Sequence, residues 1–288
     1  MSPVLFKLGP VVIYSYGTLR AIGILVAMYL TERISTREGI DPRITIKAFL
    51  IGVLSNIIGG RLFYVMQFWE KFSGNYSNIF KVWHGGQVLY GGMICSALAL
   101  IWYFRKNKIN PIEMGDRMAP CISIGIGIGR IGCLLYGCCW GKIAHVPWAV
   151  TYPRQMDMQG HIVGSSPYLQ HLKEGFVEKS DLHSCPCHPI QIYTTIVLVL
   201  FGIMLLILRK KGYFKGMYFW IFLGGYGIIR FIHEFFRGDN EPVLSFMTIS
   251  QVISIIMFVI AIGGICYYRY RVHLKTDTIQ GENICKKY

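Results

Sequence analysis

Seven apolar stretches, at roughly 12–31, 45–68, 87–104, 117–136, 190–208, 215–236 and 247–268, dominate this chain. Each is long enough to cross about 30 Å of bilayer hydrocarbon as a helix. Hydrophobic residues make up 53% of the sequence and charged residues only 15%, where a water-soluble protein carries nearer a quarter. In hydrocarbon every backbone amide must find its partner inside the protein, and a helix does this within one segment. The expectation is an all-α polytopic membrane bundle of about seven spans, formed as a single domain over residues 1–288.

The basic residues say which way the bundle faces. Arg33, Arg37, Arg43 and Lys47 follow the first stretch, and Arg105, Lys106, Lys108 and Arg117 follow the third. Arg209, Lys210, Lys211 and Lys215 follow the fifth, and Arg269, Arg271, Lys275, Lys286 and Lys287 follow the seventh. Of the 29 Lys and Arg, 17 thus fall on one side, in short connections. Positive-inside bias predicts an outward N-terminus and a cytoplasmic C-terminus. The same clustering excludes nucleic acid as the reason for a net charge of +14. The opening residues lack a basic region ahead of an apolar core with a cleavage site, so the first run is expected to stay as a span.

One connection is long. Residues 137–189 join the fourth and fifth stretches on the extracytoplasmic side and carry four of the nine cysteines. Loops of this length are usually functional or disordered. Scattered aromatics, prolines and glycines favour a small folded cap.

Charges inside the apolar stretches need a reason. Arg20, Arg61, Arg130, Arg230 and Glu234 lie within or at the edges of these segments. Each would cost about 2.5–3.5 kcal/mol on insertion scales unless it snorkels, pairs or faces a polar cavity. Tyr16 and Arg20 are four residues apart, and Tyr226, Arg230, Glu234 and Arg237 recur at four, four and three, so each set shares a helix face. Several guanidinium forks in a low-dielectric cleft suit a phosphate anion. Within a bilayer, a phospholipid head group is that anion; a transporter for an organic anion would show the same pattern. Gly125 and Gly129 give GxxxG spacing beside Arg130, so another helix can approach that arginine closely. The GxGxxG of Gly127, Gly129 and Gly132 follows no strand, which excludes a dinucleotide site.

At these residues the chain resembles the prolipoprotein diacylglyceryl transferase family. The matching blocks are YSYGTLRAIG, GGRLFYV, WHGGQVLYGG, GRIGCLLYGCCWGK, HPIQIY and YGIIRFIHEFFR, in that order. The resemblance implies seven spans in a bacterial plasma membrane. It also implies transfer of a diacylglyceryl group from phosphatidylglycerol to the lipobox cysteine of a prolipoprotein signal peptide, with release of glycerol phosphate. It carries over Tyr16, Arg61, Arg130, His188, Tyr226, Arg230, Glu234 and Arg237. The expected catalytic set is Arg130, Arg230, Glu234, Tyr90 and His188. The expected substrate-binding set is Tyr16, Arg20, Arg61, Arg130, Cys133, Tyr226 and Arg237. Arginines would neutralise the departing phosphate, and a base would raise the thiolate fraction of a thiol with a free pKa of about 8.5. Tyr90, Glu234 and His188 are the candidates for that base, with Glu234 expected to be held by Arg230.

Departures from the family pattern bear on the acceptor. Tyr90 stands where the family has His; Cys133, Tyr136 and Cys138 stand where it has Asn, Asn and Glu; Thr194 stands where it has Glu. A related transferase with another acceptor, or an anion or lipid transporter, are the competing readings. Cys138–Cys139 and Cys185–Cys187 bracket the long connection, and three readings stay open for them. They could pin the loop ends by disulfide, bind zinc despite lacking CxxC spacing, or supply a reactive thiol. Cys133, one turn from Arg130, is the foremost candidate for such a thiol. No cofactor is expected and no metal ligand is assigned.

Overall fold

The computed structural model describes residues 4–8, 11–74, 76–81, 86–154, 165–212, 214, 216–240 and 247–285. Trp83, His84 and Gly85 of the WHGG block, residues 155–164 of the long connection, and Lys215, Lys286 and Lys287 lie outside them. The chain divides into one unit of Met1–Ala27 with Ala119–Tyr288 and a second of Met28–Met118.

A helix occupies each apolar stretch: α1 (Ser15–Arg37), α2 (Pro42–Gln67), α3 (Leu89–Lys106), α4 (Pro111–Tyr136), α6 (Ile190–Lys210), α7 (Tyr218–Phe236) and α8 (Ile249–Cys285). The short α5 (Ser166–Lys173) lies in the long connection. Among the described residues four helices, α2, α4, α6 and α8 over Ile249–Arg271, are long and apolar enough to cross a membrane. The first apolar stretch differs from expectation at its start. Val4–Leu8 (β1) and Val11–Tyr14 (β2) pair as an antiparallel ribbon, and helix begins only at Ser15. The β-branched run Val11-Val12-Ile13 favours extended backbone.

Within the second unit, α2 starts at Pro42 with Asp41 as its cap, the Asp41 carboxylate accepting the Arg43 amide at 2.8 Å. Its outer face is inverted relative to a soluble helix. Leu50, Leu54, Ile58, Leu62 and Met66 recur every four residues and are all exposed. On the same helix Thr45 and Arg61 are buried. Apolar outside with polar inside is stable only against lipid, so the chain is an integral membrane protein. Small residues bring α2 and α3 together: a Cβ on Gly92 would stand 2.7 Å from the Asn56 carbonyl oxygen.

In the first unit, α4 is the central helix. Its Gly125 face meets α1, where a Cβ on Gly125 would come within 2.5 Å of the Gly23 carbonyl oxygen. Gly132 lies against Tyr16, with a Cβ 3.1 Å from its Cα. The Gly127 face meets α6, and the Thr195 hydroxyl donates to the Gly127 carbonyl at 3.0 Å. On α7, Gly224 and Gly227 let α8 come close through its Ala261 and the Ser254 carbonyl.

Backbone pairs, not side chains, tie together the ends of the long connection. Gly141 bridges Arg237, and Ile143 and Val150 both bridge Cys187. The Gly141 amide donates to the His188 carbonyl at 3.1 Å, and the Lys142 amide to Phe236 at 2.8 Å. The 140–143 strand therefore sits between the start of α6 and the end of α7. Only glycine fits at its centre, since a Cβ on Gly141 would lie 2.6 Å from the His188 Cβ.

Candidate active site

Arg130 enters the last turns of α4 just past the glycines that seat the helix against α1 and α6. Its guanidinium is half-buried, and its electrostatic neighbours are Tyr226 and the cysteines 139, 133 and 138. Among the described residues no carboxylate lies within ion-pair distance of it.

The expected face of α7 forms a charged ladder. Arg230 Nη2 is 2.9 Å from Glu234 Oε2 and donates to the Ser250 hydroxyl at 2.9 Å. Glu234 is buried, and its second oxygen accepts from Asn240 Nδ2 at 2.6 Å and from the Thr248 hydroxyl at 2.7 Å. Arg237 lies 4.0 Å from Glu234 and makes a bidentate pair with Asp239, at 2.8 and 2.7 Å. The electrostatic neighbours of Arg230 are Arg237, Glu234, Tyr226 and Arg130, which joins the α4 and α7 candidates in one cluster. Three guanidinium groups thus face two carboxylates.

On α1 the Arg20 Nη1 donates to the Tyr16 hydroxyl at 2.7 Å. The Tyr16 ring lies 5.9 Å from that of Tyr136 at the end of α4. His188 is half-buried, its Nδ1 3.3 Å from the Tyr193 hydroxyl and its ring edge-on to Phe236. Trp148 Nε1 in turn donates to Tyr193 at 2.6 Å. Tyr16, Arg20, Arg130, Cys133, His188, Tyr226, Arg230, Glu234 and Arg237 all belong to the first unit.

Arg61 and Tyr90 belong to the second unit. Arg61 is buried and donates to the carbonyls of Ile79 at 2.9 Å, Asn78 at 2.6 Å and Gly86 at 3.2 Å. Its guanidinium also lies over the rings of Tyr64 and Phe72. Such a set of contacts pins Asn78, Ile79 and Gly86 to α2. Tyr90 is half-buried at the second residue of α3.

The described part of the long connection has its own core of Trp140, Tyr152 and Cys187. Gln191 Nε2 reaches out of α6 to the Cys138 carbonyl at 2.8 Å and the Tyr152 hydroxyl at 3.0 Å. Burial pushes the Tyr152 phenol up and pushes the Cys187 thiol up to about 12. Burial also pulls His171 below the ordinary histidine value. A thiol held neutral in this way is inert.

The cysteines group differently from the loop-bracketing pairs expected. The eight described cysteines are free, so no disulfide joins Cys138 or Cys139 to Cys185 or Cys187. Instead the sulfurs of Cys133, Cys138 and Cys139 lie within 4.8 Å of one another. The geometry also adds Ser250, Asn240, Thr248 and Gln191, which hold the charged ladder and the strap after α4. Neutral partners of this kind leave no spacing signal in sequence.

The profile of the family described as prolipoprotein diacylglyceryl transferase matches residues 3–267. A phosphatidylglycerol–prolipoprotein diacylglyceryl transferase of Clostridium tetani is 32% identical over 271 residues, covering 94% of this chain and 99% of that protein. The protein of the same name from Proteus mirabilis is 34% identical over 275 residues, covering 91% and 90%. That of Vibrio cholerae is 31% identical over 273 residues, covering 91% and 89%. With the arginine ladder, the glycine-seated α4 and this end-to-end match together, the chain belongs to the prolipoprotein diacylglyceryl transferase family.

Proposed function

We propose that this chain is a membrane transferase that moves a diacylglyceryl group from phosphatidylglycerol to the lipobox cysteine thiol of a prolipoprotein. The observation that carries the reading is Arg130, which among the described residues pairs with no carboxylate, beside an α7 ladder whose Arg230 and Arg237 are already held in place. A phosphodiester brings the missing negative charge. The acceptor thiolate attacks the glyceryl carbon, the carbon–oxygen bond breaks, and glycerol phosphate leaves with the electron pair. Its charge grows as it departs, so a guanidinium aimed at it stabilises the transition state more than the ground state. Arg130 is the group assigned to that phosphate, with Arg230 and Tyr226 beside it. Arg237 and the Tyr16–Arg20 pair complete the binding set, and His188 lies at the start of α6. Arg61 is assigned an indirect role, through the carbonyls of Asn78, Ile79 and Gly86 that it holds.

The seven long helices are proposed to be seven spans in a bacterial plasma membrane. The N-terminus would lie outside, and residues 137–189 would form an extracytoplasmic cap. The test is a full-chain assay in phosphatidylglycerol nanodiscs, following glycerol phosphate release and thioether formation on a lipobox peptide. Both should depend on the peptide. Arg130→Ala should lower the rate by about 10²–10³, the size of one lost transition-state donor. Arg130→Lys should recover little of it, because the fork is gone. Peptide-independent release would point to another acceptor, and unchanged turnover in Arg130→Ala would remove that residue from the site.

A further inference from the structure

The end of α4 folds back on itself. The amides of Gly137 and Cys138 both donate to the Cys133 carbonyl, at 2.9 and 3.1 Å, and Gly137 takes a left-handed φ of 81°. This returns the chain over the final helical turn and sets Cys138 above Cys133. Cys139 follows at φ 59°, a conformation a non-glycine residue holds only when its surroundings impose it. The surroundings are visible: Gln191 grips the Cys138 carbonyl, and the Trp140 carbonyl accepts the Gly238 amide at 3.1 Å. Three sulfurs from one short segment thereby converge within 4.8 Å.

We infer that Cys133, Cys138 and Cys139 form a three-thiolate site for a zinc ion, whose open fourth position takes the acceptor thiol. Zinc–sulfur bonds of about 2.3 Å in a tetrahedron put sulfurs about 3.8 Å apart, which small side-chain rotations reach from the observed spacing. A disulfide would use two of the three sulfurs and strand the third. Three thiolates on a divalent cation leave the site with one excess negative charge, and Arg237, an electrostatic neighbour of Cys139, faces it, leaving Arg130 for the phosphate. Three protein ligands with one vacant position is the arrangement of catalytic rather than structural zinc.

The placement answers a need of the reaction. Attack on the glyceryl carbon requires a thiolate, and the Glu234 carboxylate is buried and ion-paired with Arg230, which favours its charged form and makes it a weak base. A thiol that coordinates zinc loses its proton to solvent outright. The zinc-bound sulfur then attacks carbon, the ester oxygen leaves as phosphate monoester, and the thioether product, a poorer ligand, dissociates. No electrons are exchanged with any third party. This role rests on the transferase reading, while the metal site stands on the sulfur geometry alone.

The test uses the full chain purified without chelator. Zinc should be bound at one equivalent, and cobalt in its place should show thiolate-to-metal charge-transfer absorption. Cys133→Ser, Cys138→Ser and Cys139→Ser should each lose most of the metal, whereas Cys266→Ser, at an exposed position on α8, should keep it. Cys139→His, which retains a ligand, should hold zinc and guards against a merely misfolded strap. Peptide modification should fall about 10-fold or more on zinc removal and return on its readdition. Adding the peptide should shift the cobalt spectrum as its sulfur enters the fourth position. A chain without zinc, or with a disulfide within the trio, overturns the site. Undiminished modification after zinc removal overturns its role but leaves the transferase reading intact. Zinc held by the trio in a chain that never modifies the peptide upholds the site and overturns the transferase reading.

Discussion

Glu234 is held from two sides: Arg230 pairs with Oε2 as an ion pair at 2.9 Å, while Asn240 and Thr248 donate to Oε1 at 2.6 and 2.7 Å. The carboxylate is therefore the anchor of the α7 ladder, ion-paired through Oε2 and hydrogen-bonded through Oε1. Removing one member of a buried pair leaves an uncompensated charge and costs roughly 3–5 kcal/mol. Glu234→Gln is expected to lower thermal stability in detergent as well as activity, and Glu234→Asp to recover part of both. A general base would behave otherwise, with activity lost at unchanged stability. Parallel melting and turnover measurements separate the two.

Packing of α4 on α1 depends on an absent side chain. A Cβ on Gly125 would lie 2.5 Å from the Gly23 carbonyl oxygen and 3.0 Å from the Ala27 Cβ. Both are atoms of a neighbouring helix that cannot rotate away. Gly125→Val should destabilise the chain by about 1–3 kcal/mol or more, as overpacking does. Gly129→Ala, whose nearest neighbour is the Arg20 Cα at 3.8 Å, should be nearly silent. Equal effects at the two positions would mean that α1 does not sit on the Gly125 face.

The long connection should weaken in acid. His171 is buried beside Cys187, its Nε2 4.0 Å from that sulfur, and burial holds its pKa below the unfolded value of about 6.5. A depressed histidine contributes stability fully above the unfolded value, and loses it as pH falls through the folded one. Amide protection factors over Ser166–Lys173, measured against the intrinsic rate at each pH, should therefore fall as pH drops below about 6.5. His171→Phe should flatten that dependence. An equally steep response in the variant would assign it to another group.

Orientation can be read directly. Lys173 at the end of α5 and Lys210 at the end of α6 are both exposed, so neither needs local unfolding to react. In a background without reactive thiols, Lys173→Cys should be labelled in intact cells by a membrane-impermeant maleimide. Lys210→Cys should be labelled only after permeabilisation. The reverse pattern would invert the proposed topology.

Helix positions, the α7 face and the close approach at the α4 glycines were legible in the sequence because they follow from local periodicity. Apolar residues repeat along a segment, Arg230 and Glu234 are one turn apart, and glycine spacing within one helix marks where a neighbour can fit. The first apolar run shows the limit of that reasoning, since hydropathy alone cannot tell the Val11–Tyr14 strand from the helix that follows it. Tertiary structure decided the rest. Arg61 carries the same charge as Arg130, but only the fold gives one to three backbone carbonyls and leaves the other with no carboxylate among the described residues. In sequence Cys138 and Cys139 leave open a bridge to the far end of the loop, a zinc site or a reactive thiol. Their grouping with Cys133 arises because the chain reverses at Gly137, and that reversal depends on α6 and α7 gripping the strap from either side. Spacing along a chain constrains neighbours on one element; which elements close over a segment is set by packing between residues far apart in sequence.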